Sequence, residues 1–112
     1  MENMTHTEYI ESVRRRAGQI AAAASSGEKA ILDACWELGP LLSQAELDPS
    51  DPDAQAIELV CSELDGLPLG ELRGHWAPGA LDGLAPQLES LTQWATPLAI
   101  SAIRSLALRF EA

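Results

Sequence analysis

Residues Pro86 to Phe110 read PQLESLTQWATPLAISAIRSLALRF. Leu88, Leu91, Ala95, Leu98, Ala102, Leu106 and Phe110 recur at spacings of three and four. That period places them on one side of a helix and cannot be laid on a strand, whose faces alternate every residue. Pro97 interrupts the run, but the stripe keeps its phase across it, which predicts one kinked helix rather than two. The last turns are almost wholly apolar (Ile100, Ile103, Leu106, Leu108, Phe110), so this helix is either central or a subunit contact. Working backwards, a fourth helix is expected near Pro78 with Leu81 and Leu84 inward, and Pro86 is expected to begin a new helical run after a bend.

The same reading extends over the rest of the chain. Thr5 with Glu8 forms a capping-box pattern, and Ile10, Val13, Ala17, Ile20 and Ala24 then make a buried stripe. Ser25 with Glu28 repeats the capping pattern. A second helix is expected from about Gly27 to Leu38 over Ala30 or Ile31, Ala34, Cys35 and Leu38. Gly39-Pro40 either ends it or turns it into a short continuation through Leu41, Leu42 and Ala45. Trp36 lies off the centre of that stripe, where it closes a core edge or stands as a contact. Asp51 can cap a third helix, with Pro52 in its first turn and Ala56, Ile57, Val60, Cys61 and Leu64 inward. Gly66 is placed to end it in the left-handed region. Leu67 to Pro78 is the longest irregular stretch. The expectation is therefore an all-α single domain, residues 1–112, with a compact bundle of four to five helices, an irregular loop at about 66–77 and a long C-terminal helix.

Charge is laid out unevenly. The chain of 112 residues carries net charge −10. Between Lys29 and Arg73 there is no Lys or Arg, while Asp33, Glu37, Glu46, Asp48, Asp51, Asp53, Glu58, Glu63, Asp65 and Glu71 fall there. The remaining seven acids and seven bases cancel. An acidic field repels phosphate, so nucleic acid and anionic membrane are excluded as partners, and a basic protein surface is favoured. Arg14, Arg15 and Arg16 fan over about 200° of a helix at ~100° per residue and are expected to hold acids from the middle of the chain. Cys35 and Cys61 lie on apolar faces and read as reduced, buried thiols. The polar start and the lack of a long apolar run suggest a cytoplasmic protein.

Chemical motifs are sparse. His6, His75, Cys35 and Cys61 have no paired ligand spacing, and Asp48-Pro49-Ser50-Asp51-Pro52-Asp53 lacks the Gly and distal Glu of a calcium loop. Ser62 has no nucleophile elbow. No cofactor motif is present. Glu63 and Asp65, two residues apart, could converge with Arg73 at a helix end. They are expected to act structurally, as buried carboxylates holding the loop through its backbone N–H groups or through Arg73. Trp76 is expected to dock in the core as the loop's anchor, and Trp94 to be partly exposed.

Ser62-Glu63-Leu64-Asp65-Gly66-Leu67-Pro68-Leu69-Gly70, with Trp76 and Ala80-Leu81 after it, resembles a segment of small bacterial all-helical proteins of unassigned function. That segment reads Ser-Glu-Thr-Asp-x-Leu-Pro-x-Gly followed by a Trp, and Leu64 here replaces the Thr. The resemblance implies an all-α fold. By association it also suggests the immunity partners of secreted toxins.

Three functional expectations follow. The first is a non-enzymatic, acidic interaction module, in its concrete form an immunity protein or antitoxin that covers the basic cleft of a toxin domain. Asp48, Asp51, Asp53, Glu58 and Glu71 are its contact residues, because acids the fold does not need would stand outward. Ser62, Glu63, Asp65, Pro68, Gly70, Arg73 and Trp76 form its structural motif. The second is a small enzyme or ligand-binding protein using Glu63, Asp65, Arg73 and His75. The third is a homo-oligomeric module, a homodimer included, built on the apolar last helix.

Overall fold

The computed structural model describes residues 5–67, 69, 74 and 76–110. Pro68, Gly70, Glu71, Arg73 and His75, named above for the motif, the contact surface and the enzyme reading, lie outside the described residues. Four helices make an all-α fold: α1 (His6–Ser25), α2 (Ile31–Gln44), α3 (Pro52–Cys61) and α4 (Pro78–Arg109). α4 packs on α1 and α3, and α2 packs on the same two helices and on α4 itself.

α1 starts as its sequence predicts. The Thr5 hydroxyl accepts from the Glu8 amide at 3.0 Å, and the Glu8 carboxylate accepts from the Thr5 amide at 3.2 Å. Ile10, Val13, Ala17, Ile20 and Ala24 are buried, and Gly18 and Ala21 widen the stripe. The second capping box does not form. Ser25 is the last residue of α1, and the amides of Glu28 and Lys29 both turn back to the Ala23 carbonyl. Those amides finish α1 instead of opening α2, which begins at Ile31 with no side-chain cap. Gly27 makes the turn at φ +88°, where a side chain would be strained.

Gly39-Pro40 does not end α2, which runs through both residues to Gln44. Leu38 and Leu42 are buried on either side of the pair, so burial across the proline outweighs its missing N–H. The glycine has a separate purpose. A Cβ at Gly39 would stand 2.7 Å from the Cys61 sulfur, so its absence lets α3 cross α2 closely. At that crossing the Cys61 thiol donates to the Cys35 carbonyl at 2.8 Å. Both cysteines are free thiols. Burial pushes both up, Cys35 to about 12, so neither is a ready nucleophile.

α3 is capped by Asp51, whose carboxylate accepts from the amides of Asp53 at 3.0 Å and Ala54 at 3.2 Å, with Pro52 in the first turn. Ile57 and Val60 are fully buried. The helix stops at Cys61, before the predicted Gly66. Gly66 instead closes the next turn at φ +79°.

α4 is continuous through Pro86 as well as Pro97, so Pro86 does not begin a separate helix. The hydroxyls of Thr92 and Thr96 donate to the carbonyls of Leu88 and Thr92 just ahead of Pro97. Its buried residues are Ala95, Ala99, Ala102, Ile103 and Leu106. The face is rotated from the predicted one: Ala99 and Ile103 point inward, and Leu98 is 37% exposed. α1 and α4 pack on each other, and both bury small residues, Ala17, Gly18 and Ala21 on α1 and Ala95, Ala99 and Ala102 on α4. A Cβ on Gly18 would collide with the backbone of Phe110. The amino-terminal half, through Trp94, contributes no buried residue.

Candidate functional site

The acids of the middle segment separate into two groups. The first is consumed by the fold. Arg109, in the last turn of α4, forms a two-pronged pair with Asp51 at 2.7 and 3.1 Å and reaches Asp53 at 2.9 Å. Ser105 also donates to Asp53. The side chains of Asp51 and Asp53 are only 10% and 16% exposed. The expectation that these two stand outward as contact residues is therefore corrected. They tie the start of α3 to the end of α4, and the Arg109 guanidinium holds the Asp51 carboxyl below the usual carboxylate range. Glu37 is paired with Lys29, and Glu46 with His6 at 2.7 Å.

The arginines of α1 do not hold these acids. Arg14 donates to the Ala45 carbonyl at 3.0 Å and lies over the Phe110 ring. Arg15 and Arg16 are exposed and make no ion pair among the described residues. The middle acids find their base at the far end of the chain instead.

Asp48, Glu58 and Asp65 form the second group. All three are exposed, and none has a basic partner among the described residues. Asp48 accepts from the Ser50 amide at 2.8 Å and the Ser50 hydroxyl at 2.6 Å, which lowers its carboxyl below its usual value and keeps it ionised. All three line one open groove of about 560 Å³ between α2, α3 and the loop that joins them. Trp36, Leu42, Leu47, Ile57 and Leu64 supply its apolar wall. Trp36 thus closes a core edge and faces a cavity at once. Leu47 and Pro49 of this groove carried no functional signal in the sequence. Gly39, whose missing side chain sets the crossing of α2 and α3, was the one available pointer.

The expectation that Glu63 and Asp65 are buried is corrected, while their pairing with Arg73 lies outside the described residues. Glu63 and Asp65 are both exposed, and neither accepts a backbone N–H among the described residues. Leu64, Leu67 and Leu69 do the holding, at 1%, 8% and 2% exposure. All three belong to the apolar core. Leu64, the position that departs from the resembling motif, is one of the largest fully buried side chains. The Ser62 hydroxyl donates to the Leu59 carbonyl at 2.6 Å. Trp76 is 37% exposed rather than docked. Trp94 is 39% exposed. Of the acids in the enzyme reading, only Asp65 reaches a cavity; Glu63 does not line it. No cluster of His, Cys, Asp and Glu among the described residues could hold a metal ion. No helix among them is long and apolar enough to cross a membrane.

The chain matches no protein-family model, no curated protein and no solved structure.

Proposed function

We propose that the protein is an acidic interaction module that binds a basic protein surface through the face carrying Asp48, Glu58 and Asp65. The observation that carries this reading is the division of the acids. The fold matches Glu37, Glu46, Asp51 and Asp53 with its own cations or histidine, while Asp48, Glu58 and Asp65 are left on one apolar-walled groove without a basic partner among the described residues. Charge left unmatched at a concave surface steers oppositely charged partners and fixes their orientation. The concrete form is neutralisation of a toxin whose cleft is cationic, the acidic face covering that cleft. The test is titration of the product of the adjacent gene at about 50 and 300 mM salt, where screening separates charge-led from apolar binding. Affinity should fall about tenfold or more across that range. Absent binding, or binding indifferent to salt, overturns the reading.

A second reading, self-association through α4, draws on a different observation. Leu81, Leu84, Leu88 and Leu91 keep the spacing of a helical seam, yet all four are only partly buried, Leu88 and Leu91 against the core. A sedimentation coefficient independent of concentration would remove it.

A further inference from the structure

The groove between α2 and α3 specifies more than the sign of its partner. We infer that it receives a basic amphipathic helix of that partner, two apolar side chains entering the cavity and flanking Lys or Arg reaching Asp48, Glu58 and Asp65. This rests on the acidic-interaction reading above and adds the shape and chemistry of what is bound. Three features support it. The cavity, at about 560 Å³, lies in the range of ligand pockets and exceeds what one side chain fills. Its lining includes Trp36 and Leu47, which are only partly buried and which a purely charged chain would leave facing water. Its charges come from three parts of the chain: Asp48 precedes α3, Glu58 lies on it and Asp65 follows it.

Acids before, on and after one helix favour an occupant with several charges. α3 has ten residues, which at ~1.5 Å each is about 15 Å. A small amine has a single charge and meets one rim acid. A helix of about three turns matches that length, placing apolar anchors at i and i+4 inward and cations along both flanks. A nucleic-acid occupant is excluded by the charge of the rim. The rim acids then act mainly on encounter and register, while the buried anchors hold the complex.

The test uses the full chain and three synthetic 14-residue helical peptides, read by calorimetry. The first is of Leu and Lys with leucines at i, i+3, i+4 and i+7; the second has its lysines replaced by glutamate; the third has its leucines replaced by alanine. The Leu/Lys peptide should bind one to one, and each of the others about tenfold more weakly or worse. Ser43→Trp places a large side chain in the groove from an exposed position of α2. It should weaken the Leu/Lys peptide about tenfold with the helical spectrum unchanged. Glu58→Lys with Asp65→Lys, both on the surface, should weaken it and remove its salt dependence. Salt-sensitive binding that ignores both Ser43→Trp and the loss of leucines overturns the groove proposal and leaves the acidic-module reading standing. Binding lost with Ser43→Trp but equal for the Lys and Glu peptides overturns the charge assignment on which both rest. Self-association abolished by Ser43→Trp, with no peptide binding, would give the groove to a second copy and overturn the proposal.

Discussion

A methyl group on Gly18 would sit inside van der Waals contact of the Phe110 carbonyl oxygen. That glycine lies in the interior of α1, where alanine ordinarily helps by up to about 1 kcal/mol. Here the collision is with backbone, which cannot rotate aside, so overpacking should win. Gly18→Ala is expected to lower stability by about 1–2 kcal/mol in denaturant melts. A second residue acts over distance. Arg109→Ala removes the partner of Asp51 and Asp53 and should lower stability by about 1–2 kcal/mol at neutral pH. The effect has a pH signature. The Asp51 carboxyl titrates lower in the folded chain than in the unfolded one, so its ionised form favours folding. Its contribution is complete above the unfolded value near pH 4 and fades as pH falls through the folded one. The gap in melting temperature between wild type and Arg109→Ala should therefore be full above about pH 5 and narrow below about pH 4. None of this was readable beforehand. The pairing joins residues 58 apart, and the local signal at Asp51 reaches its cap on α3 but not its distant partner.

Local rules read well at the level of elements, and failed where burial decides. The capping box of α1, the Asp51-Pro52 start of α3 and the Pro78 start of α4 depend on a few neighbouring residues, and each was legible. Gly39-Pro40 and Pro86 look like breaks by the same rules. In α2 the break fails because apolar residues on both sides of the proline are anchored in the core. α4 poses the harder case, since nothing before Ala95 is buried although the helix continues. A helical segment without buried contacts opens cheaply. Amides of 82–92 are thus expected to exchange with solvent well ahead of those of 99–107, measured by hydrogen exchange at neutral pH. Equal protection along the helix would mean that the amino-terminal half is covered in solution. The groove, too, was invisible to pattern reading, because a cavity is a property of two helices and a loop together.

Across the whole molecule, the charge layout was plain from the residues, while its meaning came from knowing which acids are already engaged. One further consequence concerns the ends of the chain. His6 pairs with Glu46, and Arg109 pairs with Asp51. Glu46 and Asp51 are five residues apart, so their Cα atoms are separated by no more than about 18 Å. The first turn of α1 and the last turn of α4 are thus gathered on the same short connection. Helices tied to one connection can be rejoined in a different order, given a spacer long enough, without disturbing what lies between. A circular permutant that links the two ends through a flexible spacer and opens the chain at the exposed Gly27 turn should fold to the same helical content with a single melting transition. The connection that holds both ends also carries Asp48 and Pro49 at the edge of the groove. Bulk added at the first turn of α1 or the last turn of α4 would crowd that connection, whereas cargo grafted at Gly27, on the separate α1–α2 turn, would leave it clear.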